Sequence, residues 1–156
     1  METLLLKLSE IMDTNVVLIS PETTLAEATR RMFHERTNGV YVVDAQQRPL
    51  GIVSNQVLLR HILPEHLREP RGARLARFDS PTTFVKRVQA VASDPVSKFM
   101  RTPLHTLQVD ASLLHAATYL AEYRQLPVVD AQGRVVGSVS RTHLKRAIMA
   151  ILEGKR

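Results

Sequence analysis

The chain has 156 residues, no cysteine and a formal net charge of +6. Its length suits one domain or two small halves sharing a core, and 44% hydrophobic against 4% aromatic residues makes that core aliphatic. The missing cysteines exclude disulfides, thiolate zinc sites and thiol nucleophiles, and dispersed arginines without interleaved aromatics argue against nucleic acid as a partner.

The opening stretch METLLLKLSEIM is too short and too charged for a signal peptide or a membrane span, so a soluble cytoplasmic protein is expected. Val16 to Ile19 is a short β-branched run. Thr24 and Glu27 have capping-box spacing, and Leu25, Ala28, Met32 and Phe33 then define one apolar helical stripe. Val40 to Val43 and Leu50 to Val53, around the turn Asp44 to Arg48, predict a β-hairpin. A helix from about Asn55 to Leu63 follows and is stopped by Pro64.

Residues 64–94 are long for a connector. Their first part is arginine-rich and broken by Pro70 and Gly72. Their second part, SPTTFVKRVQAVAS, signals a helix with Ser80 as cap, Pro81 in the first turn, and Phe84, Val88, Val91 and Ala92 on one face. That face either packs on its own chain or serves as a dimer contact or docking surface, with Arg71, Arg74 and Arg77 as an anion-facing rim.

The remaining elements repeat the first set. Leu104 to Val109 is a looser strand, and Ser112 caps a helix with Leu113, Ala116, Ala117, Leu120 and Ala121 on one face. Val128–Val129 and Val135 to Val139 form a hairpin around Asp130 to Arg134, where Gly133 suits a positive φ. A helix from about Arg141 to Glu153 carries Leu144, Ala147, Ile148, Ile151 and Leu152 on one face, with Gly154 after it.

The duplication is explicit in two phrases. VVDAQQRPLGIVS from Val42 and VVDAQGRVVGSVS from Val128 agree at nine of thirteen positions, at an offset of 86 residues. Upstream the offset is 88, so that Met12 faces Met100, Thr14 faces Thr102 and Ala28 faces Ala116. The order β-α-β-β-α occurs twice in an α/β (α+β) chain: repeat 1 at 8–63, the basic and helical segment at 64–94, and repeat 2 at 95–153.

These residues resemble a tandem cystathionine-β-synthase (CBS) domain pair, a Bateman module, standing alone. The M-x-T lead-in, the TLAEA helix, the VVD strand and the Gly-x-x-Ser strand end appear in that order in repeat 1 and recur in repeat 2. The resemblance implies two repeats about a pseudo-twofold axis, a homodimer, and clefts for AMP, ADP, ATP or S-adenosylmethionine as regulatory ligands, with no required cofactor. The family's ligand motif places an aspartate three residues after the serine. Here Val57 stands there in repeat 1 and His143 in repeat 2. Valine cannot hydrogen-bond a ribose diol.

The resemblance further implies that cleft B, the favoured one, joins Ser138, Ser140, Arg141, Thr142 and His143 to Thr14, Val16, Asn38, Gly39, Val40 and Tyr41. Arg141 would reach a phosphate there. Cleft A would join Ser54 and Val57 to Thr102, Leu104, Leu126 and Pro127, and is expected to be empty. Five of these residues also have a plain structural reading. Ser54 and Ser140 fit helix N-caps, Tyr41 fits the core, Arg141 a solvated surface and His143 an exposed first turn.

No catalytic constellation or metal-ligand spacing stands among the six histidines, and the nucleophile-elbow, P-loop and dinucleotide glycine motifs are missing. A non-enzyme is expected. Two readings follow: a regulatory module that senses an adenine nucleotide and controls a partner enzyme or transporter in trans, or a protein-interaction and dimerisation module that has lost nucleotide binding.

Overall fold

The computed structural model describes residues 7–102 and 104–154. Its chain order is α1 (Leu8–Ile11), β1 (Leu18–Ile19), α2 (Leu25–His34), β2 (Gly39–Val43), β3 (Pro49–Ser54), α3 (Asn55–Ile62), α4 (Gly72–Ala76), α5 (Thr83–Val91), β4 (Leu107–Gln108), α6 (Leu113–Leu120), β5 (Gln125–Val129), β6 (Val135–Ser140) and α7 (Arg141–Leu152), with short 3-10 turns at Glu65–Leu67 and Val96–Lys98. Two three-stranded sheets result, ordered β1-β2-β3 and β4-β5-β6. In each, the short first strand runs parallel to the second: Leu18 pairs with Tyr41, and Leu107 with Val128.

The chain forms two compact units that do not coincide with the two repeats. One comprises Val17–Asp44 and Leu50–Thr102; the other comprises the described residues of Met1–Val16, Ala45–Pro49 and Pro103–Arg156. Each repeat thus gives its lead-in segment to the other repeat's unit. The cores show the same exchange. Val17, Leu25, Ala28, Met32, Val40, Val42, Val53 and Leu58 pack with Val91 and Val96, which lie at the end of the connector and the start of repeat 2. Leu107, Ala116, Leu120, Leu126, Val128 and Val139 pack with Leu8 from the chain's beginning.

The glycine of the repeated phrase makes this exchange possible. On β3, Ile52 exchanges backbone hydrogen bonds with Arg101, at 3.2 and 2.9 Å. On β6, Ser138 does the same with Asp13, both at 2.8 Å. A side chain at Gly51 would come within 2.9 Å of Met100, and one at Gly137 within 2.8 Å of Met12. A bare backbone at these two places lets the methionine cross the strand and the lead-in bond to its edge.

Helix termini are closed by specific partners. Thr24 Oγ1 accepts from the Glu27 amide at 3.2 Å, and Ser112 Oγ from the His115 amide at 3.0 Å. The first two amides of α2 donate to the carbonyls of Asp94 and Ala92, so the exit of α5 satisfies the start of α2. At the far end of α3, Arg87 Nε donates to the Ile62 carbonyl at 2.8 Å and Arg68 Nε to the Leu63 carbonyl at 2.9 Å. His61 bonds Asp94 at 2.8 Å and stacks on Phe99 at 4.3 Å. These contacts fasten the connector to the first unit, and Val88 packs on that unit's core beside Val91.

Three expectations need correction. Phe33, read as part of the α2 stripe, is 79% exposed, because Leu25, Ala28 and Met32 already define the buried line and the helix ends one residue after Phe33. On α7 only Ala147 is fully buried; Leu144 is half-buried, while Ile148, Ile151 and Leu152 face solvent. The helix signalled from Ser80 begins at Thr83, since Ser80 Oγ accepts from the Thr82 amide in a turn before the helix. Its Phe84 is 52% exposed.

Candidate functional site

Each repeated phrase ends in a serine that starts a helix. Ser54 caps α3, its Oγ accepting from the Val57 amide at 3.3 Å. Ser140 caps α7 in a reciprocal box: its side chain takes the His143 amide, and its own amide donates to His143 Nδ1 at 3.0 Å. The first amide of each helix is also taken. Asn55 N–H donates to the Asn38 carbonyl and Arg141 N–H to the Arg124 carbonyl, both at 3.1 Å, tying each helix to the turn before its middle strand. The second-position amides, Gln56 and Thr142, remain for solvent or a bound acceptor.

The His143 box fixes its chemistry. A backbone N–H can donate only to an unprotonated Nδ1, so the neutral ring carries its proton on Nε2. Burial lowers the His143 pKa below the usual imidazole value, and Arg146 acts the same way, while the Asp13 carboxylate opposes both. The residue at the family's aspartate position is therefore a neutral N–H donor. It differs in kind from a carboxylate acceptor.

The unit that holds Thr14 and Val16 on the lead-in also holds Ser138, Ser140, Arg141, Thr142 and His143 on β6 and α7, and Asp13 pairs with Ser138. Ser138 Oγ donates to the Leu126 carbonyl at 3.4 Å. Arg141 is turned away from the helix start: its Nε donates to the Leu120 carbonyl at 2.8 Å and a terminal nitrogen to Ala121 at 3.2 Å, closing the end of α6. Its fork is thus engaged, whereas the sequence leaves it between solvent and a phosphate. Asn38, Gly39, Val40 and Tyr41 belong to the other unit, where Tyr41 is buried on β2 and Asn38 Oδ1 accepts from Asn55 Nδ2 at 3.1 Å. Of the second set, Ser54, Val57 and Thr102 lie in one unit, and Leu104, Leu126 and Pro127 in the other.

Asp13 is the residue that the sequence reading missed. It is exposed, is bonded through its backbone to Ser138, and acts electrostatically on His143. The available signal was its counterpart: at the 88-residue offset Asp13 faces Arg101, so the two lead-ins carry opposite charges. Among the described residues no group of three or more His, Asp or Glu is placed to hold a metal. No described helix is long and apolar enough to cross a membrane.

Two exchanged lead-ins, two β-hairpins and a serine-capped helix after each define a duplicated α+β fold. The chain belongs to the CBS domain family, whose profile matches residues 8–64 and 96–150. It is 24% identical over 147 residues to a 17.7 kDa protein of Acidianus ambivalens, covering 93% of this chain and 74% of that protein. It is 29% identical over 140 residues to the chloroplastic CBS domain-containing protein CBSX1 of Arabidopsis thaliana, where the match spans 86% of this chain and 59% of the relative. The crystal structure of Arabidopsis CBSX2 superposes with a TM-score of 0.73 at 21% identity, over 94% of this chain and 96% of that one. The CBSX2 complex with AMP superposes at 0.68, with 23% identity over 94% and 98% of the two chains.

Proposed function

We propose that this chain is a non-catalytic regulatory module that binds an adenine nucleotide where the lead-in of repeat 1 meets β6 and α7, and that it controls a partner in trans from the cytoplasm. The observation that carries this reading is Asp13, which is bonded through its backbone to Ser138 and acts on His143 at the Ser140-capped start of α7, with Thr14 and Thr142 in the same unit. A helix N-terminus with flanking hydroxyls suits phosphate, and Asp13 supplies the acceptor for a ribose diol that Val57 and His143 lack. AMP, ADP, ATP and S-adenosylmethionine all carry that diol, and the AMP complex of CBSX2 supports the choice. In this reading the Ser54–Val57 counterpart stays empty. The exposed Ile148, Ile151 and Leu152 of α7 supply an apolar face for homodimerisation.

The test is thermal unfolding with each of the four ligands in millimolar excess. At about a hundredfold the Kd a nucleotide adds roughly 2.7 kcal/mol, or roughly 5–10 °C for a chain of this size. The rise should vanish in Asp13→Ala and shrink in Ser140→Ala. No rise with any of the four removes this reading. The second reading, an interaction module without nucleotide, rests on the engaged fork of Arg141 and the use of both serines as caps. It expects an unchanged melting temperature.

A further inference from the structure

We propose that the outer side of the inter-repeat segment, from Arg71 to Lys86, is a docking surface for an acidic protein segment that carries apolar anchors. Charge gives the first argument. Residues 65–87 hold six basic side chains against three acidic ones, a net +3 of the chain's +6. Arg68 and Arg87 are spent on α3 carbonyls, and Asp79 bonds His66 at 3.4 Å. Arg71, Arg74 and Lys86 are exposed and face no carboxylate among the described residues; Arg77 lies over Phe78 at 4.9 Å.

The second argument is the apolar surface interleaved with that charge. Phe78 is 75% exposed, Val85 55%, Phe84 52% and Leu75 41%. They are not the loose flank of a mobile connector. The inner side is fixed by Val88 and Val91 in the core, by Arg87 on α3, and by Gly72, whose backbone lies so close to the Leu67 carbonyl that no Cβ fits. A surface held this way presents its outer side chains at low entropic cost to a partner.

The arrangement selects among polyanions. Arginine forks match carboxylates in bidentate geometry. One face of the Phe78 ring is already covered by Arg77, which weakens it as a platform for stacked bases. A membrane-surface helix buries one continuous apolar face, whereas these apolar groups come from a five-residue helix, a nine-residue helix and the loop between them. An acidic peptide with leucine or phenylalanine anchors satisfies both the charge and the knobs.

The experiment is fluorescence anisotropy on the full chain without nucleotide, so its outcome stands apart from nucleotide sensing. The probe is a labelled peptide in which glutamates alternate with leucine and phenylalanine; polyglutamate of equal length, oligothymidylate and phosphatidylserine vesicles are the comparators. Saturable binding should weaken roughly tenfold or more in R71E/R74E/R77E and again in F78S/F84S. All five positions are exposed, and circular dichroism verifies that the variants fold. Absence of saturable binding, equal binding by the charge-reversal variant, or equal binding of polyglutamate overturns the proposal. So does tighter binding of oligothymidylate or vesicles.

Discussion

His143 is the point where one side chain serves both the fold and the proposed site. Its Nδ1 closes the cap of α7, and its folded pKa is lowered, chiefly by burial. A folded state that resists protonation binds fewer protons than the unfolded chain, so its stability falls with acidification. The loss begins near the ordinary imidazole value of about 6.5 and is complete once pH drops through the lowered folded value. Urea midpoints measured on both sides of that window should fall on acidification in the native chain. They should fall less in His143→Gln, which keeps an acceptor for the Ser140 amide without a titrating ring. Equal slopes would mean that the cap does not depend on the charge of His143.

Among the elements, the lead-in segments are the least conspicuous in sequence and the most consequential in structure. The hairpins, the caps Thr24 and Ser112 and the start of α7 were legible, because alternation, helical spacing and N-cap chemistry are local signals. The exchange of Met12–Asp13 and Met100–Arg101 left no local signal, since it rests on backbone pairing of one or two residues with no side-chain period; only the family resemblance implied that a lead-in meets the other repeat's strand end. Apolar spacing also overstated burial at Phe33, Ile148 and Ile151, since period alone does not say that another element covers the stripe. Of the proposed site, the serines and His143 stood out in the sequence, but the acidic neighbour on another element did not. The repeated glycine is the mark that the exchange leaves. Gly137→Ala should therefore push Met12 off β6 and cost about 1–3 kcal/mol of stability. The Gly51→Ala counterpart should act in the same way through Met100. Denaturant unfolding of each variant checks this, and full stability in both would remove steric exclusion as the reason for the glycines.

At the scale of the whole molecule, repeat boundaries are the wrong places to cut. A fragment spanning residues 8–63 lacks Val91, Val96, Phe99 and Met100, which its core requires. A fragment spanning residues 17–102 contains all of them. Circular dichroism melts should show a cooperative transition for 17–102 and none for 8–63, despite the complete hairpin and helices α1, α2 and α3 in the shorter piece. Cooperative folding of 8–63 would show that the connector only decorates that unit.

The exchange also sets an order of events during synthesis. The backbone partner of Asp13 is Ser138, which leaves the ribosome 125 residues later. At 5–20 residues per second that is a wait of roughly 6–25 s. Meanwhile the edge of β3 emerges first, with a glycine shaped for a methionine, and Met12 is the only methionine-bearing lead-in yet made. The nascent chain is thus offered a wrong docking edge before its right one exists. If Met12 occupies that edge first, Met100 has to displace it, and the slow step of maturation is then an exchange of two look-alike segments.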